Sequence, residues 1–309
     1  MVNQWNPDKT VGLLGKWEEN VAMSAYASYR AGGIAKYVYC PFNLQDLSRC
    51  LSQIPLTIPV IFLGKSTNLL VSDLGFDGVI ILLAEMCRQN RTECFFEVKD
   101  TLLHVSAAIS CPKVAQIAVS SDLVGLEFFA GIPGSIGGAL TMNAGSAGAS
   151  TWDHIEKVHM INRSGECFEK TPDDFDIGYR KVAAKFSEPA WFVGAEFRLS
   201  RGDIAAAKAK IEEILSWRKS HQPLALPSAG SVFKNPEGDT AGRLIDSCGL
   251  KGFHVGDAEV SERHANFIVN KGNATATDIV NLIRHVRAVV YEKTGIHLEP
   301  EVKLVGESI

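Results

Sequence analysis

The stretch PSAGSVFKNP at 227–236 places Ser231 close to Lys234 and Asn235, three side chains that can bind or protonate a ligand. No histidine lies within nine residues of the serine, and no G-x-S-x-G nucleophile elbow surrounds it. A serine that attacks a substrate needs an adjacent base, whereas a serine that protonates a carbanion-like centre can rely on its position. The pattern leaves three interpretations of Ser231: a nucleophile, a proton donor or a turn residue.

A second stretch, IFLGKSTNLLVSD at 61–73, has a glycine, a lysine and a serine after an apolar strand. A P-loop would need a glycine five positions before Gly64, but Pro59 stands there, and the residues that follow have strand rather than helix character. Two interpretations remain. The segment is either a tight turn between strands or a nest of backbone N–H groups that binds phosphate.

Glycine is dense in GIPGSIGGALTMNAGSAG at 131–148, which has six glycines in eighteen residues but no G-x-G-x-x-G dinucleotide fingerprint. Each glycine costs chain entropy when it is ordered, and each allows the backbone to approach a ligand closely. The density favours a phosphate-bearing cofactor that lies along this backbone.

Other charged residues give weaker signals. Arg180 follows an aromatic residue in GYR, which is usually a structural arrangement. Glu299 and Glu301 in LEPEV share one face of a predicted strand, which fits one proton-handling carboxylate or two surface charges equally well. A further set is better interpreted as surface cations, or for the histidine as a satisfied hydrogen-bonding group: Arg243, Lys251, Arg263 and His264.

Composition limits the function classes. The 309 residues are 46% hydrophobic and 21% charged, which is typical of a globular enzyme, and the net charge of −4 argues against a general nucleic-acid binder. The first ten residues lack a signal-peptide pattern, and the longest apolar run, 79–84, is too short to cross a membrane. Seven scattered cysteines without a C-x-x-C pair predict free thiols, no metal site and a cytoplasmic location.

Hydrophobic periodicity predicts an α+β chain with no internal repeat. Helices are predicted from Asn43 as N-cap, at 112–121, from Asp203 to Lys219, and at 277–295 with Gly295 as the stop. Strands are predicted at 35–41, 58–63, 78–83, repeatedly between 95 and 200, and at 296–305. The rhythm predicts modules at 1–80, 81–204 and 205–297, and we expect the tail 298–309 to return to the first module.

Eight segments together resemble the UDP-N-acetylenolpyruvoylglucosamine reductases, flavoenzymes that complete UDP-N-acetylmuramate in peptidoglycan synthesis. In chain order the matching segments are YASYRAGGIA, LGKSTNLLVSDLGFDG, GLEFFAGIPGSIGGALTMNAGSAG, GYR, QPLALPSAGSVFKNP, AGRLIDSCGLKG, AEVSERHANFIVN and LEPEV. They extend from about residue 24 to residue 303. The compact segment after GYR is similar to the shorter of the family's two architectural types.

The resemblance implies a two-module FAD-binding fold of the vanillyl-alcohol-oxidase (PCMH) type, followed by a C-terminal α+β substrate-binding domain. FAD would bind non-covalently, and NADPH would act as the co-substrate. The residues implied to bind the cofactor are Gly64, Lys65, Ser66, Thr67, Asn68, Leu69, Gly131, Ile132, Pro133, Gly134, Ser135, Gly137, Gly138, Asn143, Ala144 and Gly145.

The resemblance also assigns catalytic roles. Hydride would pass from the reduced flavin to the vinyl carbon of the enolpyruvyl ether, and Ser231 would protonate the adjacent carbon. Arg180 and Glu301 would stabilise the enolate, with Glu301 either protonated or orienting other groups. The residues implied to contact the substrate are Gln222, Lys234 and Asn235.

The sequence departs from the family pattern at two of these segments. The family's first loop reads G-x-G-S-N, so Ser66 must adopt the backbone geometry that a glycine would take. Val182 replaces a serine usual two residues after the arginine of GYR, so other groups must order Arg180.

Two alternatives stay open beside the reductase: another FAD oxidoreductase of this fold, such as a sugar-acid or lactone oxidase, and a non-catalytic flavin or UDP-sugar binding protein. For the reductase we expect small-molecule substrates, no nucleic-acid partner, no membrane insertion, a monomer and the bacterial cytoplasm.

Overall fold

A computed structural model describes residues 5–89 and 95–306. The described residues contain seven α-helices: α1 (Leu44–Gln53), α2 (Leu83–Gln89), α3 (Cys111–Ser120), α4 (Ile136–Met142), α5 (Ile204–His221), α6 (Ala241–Ser247) and α7 (Ala276–Thr294). Short 3-10 helices lie at Pro7–Lys9, Met23–Ala25, Glu127–Gly131, Thr151–His154 and Pro172–Asp174.

The same residues contain twenty strands. In the first half these are β1 (Lys16–Ala22), β2 (Ile34–Cys40), β3 (Val60–Leu63), β4 (Leu69–Val71), β5 (Phe76–Leu82), β6 (Phe96–Lys99), β7 (Leu102–Ser106), β8 (Leu123–Val124), β9 (Gly145–Ser146) and β10 (Ala149–Ser150). The others are β11 (Ile155–Asn162), β12 (Cys167–Lys170), β13 (Phe175–Gly178), β14 (Lys181–Ala184), β15 (Ala190–Arg198), β16 (Ser200–Arg201), β17 (His254–Val255), β18 (Ala258–Val260), β19 (Ile268–Asn270) and β20 (Lys303–Val305).

The strands form several separate sheets. The largest is antiparallel, in the order β12-β11-β15-β7-β6, and a four-stranded sheet has the order β1-β2-β5-β3, with β3 parallel to β5. A three-stranded sheet β17-β18-β19 lies later in the chain, and β20 near the end of the described residues pairs in parallel with β4. The mixture of helices with antiparallel and parallel strands confirms the α+β prediction.

By its contacts the chain divides into two compact units. The first contains the described residues up to Glu19, with Tyr37–Lys65 and Gly78–Ser216; the second contains Asn20–Lys36, Ser66–Asp77 and the described residues from Trp217 onward. The boundaries at 80 and 204 stay predictions. Strand β20 of the predicted tail pairs in parallel with β4, within the second unit.

Local sequence signals explain the helices of each unit. In the first unit, Asn43 caps α1 by accepting the Asp46 N–H at 2.7 Å, and the helix buries Leu47 and Leu51. In the second unit, a capping box of Thr275 and Asp278 begins α7. Gly295 ends α7 in the left-handed conformation, with φ of 73°.

Helix α7 forms one side of the second unit's core. Its apolar stripe buries Ile279, Leu282, Ile283, Val286 and Val290, and the same core contains Val232 and Phe233 beside the predicted proton donor. No helix among the described residues is long and apolar enough to cross a membrane.

Three expectations need correction. The predicted strand at 296–305 is a strand only at Lys303–Val305, and the glycine-rich stretch contains an unpredicted helix, α4. Cys40, Cys50, Cys111, Cys167 and Cys248 are free thiols as expected, but Cys87 is disulfide-bonded, while Cys94 lies outside the described residues. Cysteine pairing depends on Cα separations that only the tertiary structure sets, so number and spacing did not reveal it.

Candidate functional site

The start of the predicted phosphate loop lies against the glycine-rich segment inside the first unit. A Cβ added to Gly64 would overlap the Oγ of Ser135, so only glycine permits this approach. The exposed Lys65 side chain follows immediately. The two stretches that the sequence marked separately therefore meet at Gly64 and Ser135.

Ser66 has the glycine-like backbone that the sequence comparison demanded. Its φ of 49° lies in the left-handed region, which costs a non-glycine residue roughly 1–2 kcal/mol. Its carbonyl accepts the N–H of Ser28 at 3.3 Å, also in the second unit. Strand β4 follows instead of a helix, which confirms that this loop is not a P-loop.

Most glycines of 131–148 have reasons inside the chain. A Cβ at Gly131 would overlap Ser146, one at Gly145 would lie 2.6 Å from the Ala149 carbonyl oxygen, and one at Gly137 would lie 3.3 Å from the Cβ of Ala107. Gly148 has φ of 86°. Gly138 is exposed, and its nearest neighbour would lie 3.8 Å away. Glycine density by itself was therefore a weaker argument for a cofactor than it seemed from the sequence.

The other residues of 131–145 that the resemblance implies to bind the cofactor lie just before and just after α4. Gly134 accepts the N–H of Cys111 at 3.0 Å, and Ala144 accepts both the N–H and the hydroxyl of Thr151. Ile132 is half-buried and Pro133 is exposed. Asn143 ends α4 with φ of 46° and donates its amide to the Gly178 carbonyl at 3.1 Å.

Arg180 lies in the turn between β13 and β14 and reaches back to this segment. Its guanidinium donates to the carbonyl of Gly145 at 2.9 Å and to that of Asn143 at 3.3 Å. The residue itself has φ of 52°, an unusual conformation for an arginine. Val182, which replaces the family's serine, is paired with Ile177 in the hairpin. The guanidinium of Arg180 is instead ordered by the two backbone carbonyls.

In the second unit an isolated antiparallel bridge joins the segment that contains Ser231 to the segment that contains Glu301. The Glu301 N–H donates to the Val232 carbonyl at 2.7 Å, and Phe233 forms an antiparallel bridge with Pro300. Asn68 joins the same assembly, because its amide donates to the Glu301 carbonyl at 3.1 Å. The main-chain hydrogen bond from Glu301 to Val232 joins residues that are 69 positions apart in the sequence.

Asn266 holds this bridge and was not singled out from the sequence. Its buried side-chain amide donates to the Phe233 carbonyl at 2.8 Å and accepts the Phe233 N–H at 3.0 Å. Its own carbonyl accepts the Val232 N–H at 2.8 Å. A buried asparagine in an otherwise apolar run, ANFIVN, was the available signal, because buried amides are usually hydrogen-bonded to backbone.

The three residues predicted to contact substrate have different local roles. Lys234 forms an ion pair with Glu299 at 2.5 Å, and Asn235 accepts the Ala241 N–H at 3.1 Å, at the start of α6. The side chain of Gln222 accepts a hydrogen bond from the Arg218 guanidinium at 3.0 Å, and within the described residues no hydrogen bond joins that side chain to the Ser231 segment.

The weaker candidates are structural. The ring of His264 accepts the Asn266 N–H at 3.2 Å. Burial lowers the pKa of this imidazole, which favours its neutral form. His264 therefore helps to hold Asn266 in place. Arg243 pairs with Asp239, and Lys251 with Asp246 at 2.7 Å. These agree with the surface interpretation of the cations.

Comparisons with known proteins show the family of the chain. The FAD binding domain family matches residues 35–170, and the family described as UDP-N-acetylenolpyruvoylglucosamine reductase, C-terminal domain, matches 222–305. A UDP-N-acetylenolpyruvoylglucosamine reductase of Thiobacillus denitrificans is 45% identical over 303 residues, covering 96% of this chain and 94% of the relative. That of Nitrosomonas eutropha is 44% identical, covering 96% and 90%.

A solved structure is also similar. The crystal structure of UDP-N-acetylenolpyruvylglucosamine reductase from Thermus caldophilus is 32% identical to this chain, with a TM-score of 0.79, and the match covers 94% of this chain and 99% of that one.

Proposed function

The chain belongs to the UDP-N-acetylenolpyruvoylglucosamine reductase family, and we propose that it reduces the enolpyruvyl ether of UDP-N-acetylglucosamine to UDP-N-acetylmuramate, with FAD as cofactor and NADPH as co-substrate. The observation that supports the catalytic assignment is the bridge that joins the segment containing Ser231 to the segment containing Glu301, through Val232, Phe233 and Pro300.

The residues of the first unit fit a phosphate-bearing cofactor. The hydroxyl of Ser135 lies against Gly64, and Gly138 is exposed and has no side chain. Small-residue loops of this kind bind phosphate through backbone N–H groups. The proposed FAD-binding residues are those of 64–69 and 131–145 that the resemblance implied. When bound, FAD supplies the chemistry of hydride transfer from NADPH to the vinyl carbon.

Ser231 is proposed to give its hydroxyl proton to the carbon next to the one that receives hydride. That carbon carries negative charge delocalised into the substrate carboxylate, so it needs a proton donor at close range rather than a nucleophile. Val232 and Phe233, which follow Ser231, are held by main-chain bonds and by the side chain of Asn266, and this supports a fixed position for the hydroxyl. Of the three interpretations of Ser231, we therefore propose the proton donor.

Arg180 and Glu301 are proposed to act on the enolate. A guanidinium whose orientation is already set by two carbonyls can stabilise developing negative charge with little reorganisation. A carboxylate would repel an enolate, so we propose that Glu301 acts in its protonated form or orients other groups. Lys234, Asn235 and Gln222 are proposed as substrate contacts.

The test is NADPH oxidation by the purified protein with and without UDP-N-acetylglucosamine enolpyruvate. We expect a yellow protein that releases flavin on denaturation and that consumes NADPH rapidly only when the substrate is present. Equal NADPH consumption with oxygen alone would favour an oxidase of the same fold. Colourless protein that takes up no FAD would contradict the cofactor assignment and favour a binding protein.

A monomeric state and a cytoplasmic location complete the proposal. Gel filtration of the holoprotein checks the first, with a single peak at the mass of one chain, 33.5 kDa, as the expected result.

A further inference from the structure

One side of the five-stranded sheet carries a half-buried cluster of side chains of metal-ligating types that the proposed reaction does not use. His159 in β11 lies opposite Glu169 in β12 and Gly194 in β15. In the next row, Glu196 in β15 lies opposite His104 in β7. Because alternate residues of a strand share a face, the two histidines and two glutamates are brought to the same surface of the sheet.

The ligand atoms are close enough to share one ion. One nitrogen or oxygen from each of His104, His159 and Glu196 lies within 4.8 Å of the others. The distance from His159 Nε2 to Glu196 Oε1 is 3.5 Å. Ligands at about 2.0–2.1 Å from a tetrahedral zinc ion lie roughly 3.4 Å apart, so this pair is already at the required spacing.

The two rings are also arranged by the fold. They stack with centroids 4.5 Å apart, and both lie over Gly194. A Cβ at that position would lie 3.4 Å from His159 and 3.6 Å from His104, so the glycine leaves the space above the strand to the imidazoles.

A second, independent observation concerns the partners of the two ring nitrogens of His159. Its Nδ1 lies 3.4 Å from Glu169 Oε1, which is the carboxylate–histidine arrangement that directs the other ring nitrogen toward a metal. That other nitrogen, Nε2, is buried and makes no hydrogen bond within the described part of the chain. A metal ion at this point would satisfy a polar atom that the protein leaves unsatisfied.

The cluster opens into a cavity of about 260 Å³. Its lining includes both histidines and Glu169, with an apolar remainder contributed by Leu44, Phe95, Phe168, Val193 and neighbouring residues. Glu196 does not line this cavity, so water would reach a bound ion from the side of the two histidines.

We propose that His104, His159 and Glu196 bind a divalent transition metal ion, with zinc the best match, and that Glu169 orients His159 for this purpose. Two imidazoles and one carboxylate suit zinc and its first-row neighbours rather than magnesium or calcium, which prefer oxygen ligands. The ion would join strands β11, β15 and β7. The composition had predicted no metal site, because the search there rested on cysteine pairs.

Lys157 is the group that opposes this site. Its ammonium lies 3.1 Å from Glu169 and 3.5 Å from Glu196, so it competes with a cation for the same carboxylates. Replacing Lys157 should therefore increase the affinity for the metal ion. No such increase is expected if these side chains form only a structural ion-pair network.

The experiment is equilibrium dialysis of the full-length, FAD-loaded protein against Zn²⁺ after EDTA treatment, with bound metal measured by atomic absorption. It is done in a Cys167→Ser background, because that exposed thiol also lines the cavity and could bind zinc by itself. We expect one equivalent of zinc per chain. Affinity should fall at least about 100-fold in His159→Gln and in His104→Gln, and about 10- to 100-fold in Glu169→Gln.

Two further variants sharpen the result. Lys157→Met should bind zinc several-fold more tightly, because a competing charge is removed. His285→Gln is the matched control: its ring stacks on Phe253 in the second unit, and its loss should leave zinc affinity unchanged. Circular dichroism of each variant checks that the sheet has formed, and zinc should raise the melting temperature of the parent but not of His159→Gln.

Absence of zinc binding at one equivalent by the folded parent would overturn the proposal. Undiminished binding by His159→Gln and His104→Gln would overturn it equally, because the ion would then lie elsewhere. Since the readout is metal content rather than turnover, these outcomes are independent of whether the proposed reductase reaction is correct.

Discussion

The two regions proposed to supply catalytic side chains are held in place by different kinds of hydrogen bond. In the first unit, Arg180 uses its own guanidinium to bind the carbonyls of Asn143 and Gly145, and its backbone is in the left-handed region. In the second unit, main-chain bonds join the Ser231 and Glu301 segments, and the side chain of Asn266 binds the backbone of Phe233 in the first of these segments.

The difference teaches which functions can be separated by mutation. The guanidinium of Arg180 is both the group proposed to act on the substrate and the group that binds the two carbonyls. Its removal should therefore reduce activity and stability together. At Ser231 the acting hydroxyl is not among the bonds that hold the segment, so chemistry should be lost alone. Five substitutions test this contrast, from the largest expected effect to the smallest.

Ser231→Ala should slow flavin reoxidation by the enolpyruvyl substrate by about 10²- to 10⁴-fold, because a positioned proton donor contributes that much. NADPH should still reduce the flavin at the normal rate, and stability should change by less than about 0.5 kcal/mol. Stopped-flow absorbance of the flavin separates the two half-reactions, with Ser228→Ala as the control. Equal slowing of both half-reactions would refute the proton-donor role.

Arg180→Ala should slow the same substrate step by about 10²- to 10³-fold, as removal of an oxyanion-stabilising donor does. It should also destabilise the protein by about 1–2 kcal/mol through the lost bonds to two carbonyls. Arg180→Lys, which keeps the charge but not the two-pronged geometry, should recover only part of each loss. Stopped-flow rates and urea unfolding are both required. A variant that loses activity with full stability would remove the contrast with Ser231.

Asn266→Ala should lower the free energy of unfolding by about 2–4 kcal/mol, because it leaves the buried N–H and C=O of Phe233 without their partner. Substrate-dependent turnover should fall because the Ser231 segment is no longer clamped. Urea denaturation measures the stability, and the exposed Asn273→Ala serves as the control. Unchanged stability would mean that the main-chain bridge holds the segment without the amide.

Ser66→Gly should stabilise the protein by about 0.5–1 kcal/mol, because the relief of left-handed strain exceeds the entropy that glycine adds to the unfolded chain. Thr67→Gly, at a position without positive φ, should destabilise it instead. Thermal unfolding of the two variants gives the comparison. A loss of stability in Ser66→Gly would show that bonds of the serine matter more than its backbone strain.

Asp73→Asn tests how the segment that contains Ser66–Leu69 is fixed inside the second unit. Asp73 accepts from the N–H groups of Ala276 and Thr277 and from the Thr277 hydroxyl at the start of α7. Burial opposes ionisation of Asp73, but these hydrogen bonds outweigh it and lower its pKa.

The variant should be less stable by about 0.5–1 kcal/mol near neutral pH. A lowered folded-state pKa stabilises the protein above the unfolded pKa of aspartate and is lost as pH falls through the folded value. The gap between wild type and Asp73→Asn should therefore close in acid, as urea unfolding at pH 7 and at low pH would measure. A gap that stays constant with pH would contradict the carboxylate's role.

The sequence went furthest where the physical cause is local. Asn43 and Gly295 marked the limits of their helices correctly, because capping depends on the side chain and backbone freedom of single residues. The unusual backbone of Ser66 also followed from its place in a loop pattern that normally has glycine. Eight ordered segments were enough to identify the family before any geometry was known.

Tertiary structure decided the rest, since the causes lie far apart in the chain. The glycines at 131, 137 and 145 were attributed to a ligand, yet the backbones and side chains that require them come from the folded chain itself. The hydrogen bonds from Asn266 to Phe233 and from the Glu301 N–H to the Val232 carbonyl join residues separated by dozens of positions. The histidine cluster depends on the register of three strands. Sequence alone determined the residue types, the helix limits and the family, because these are local or cumulative properties. Strand register and long-range contacts decided which side chains come together, and no short sequence pattern encodes these.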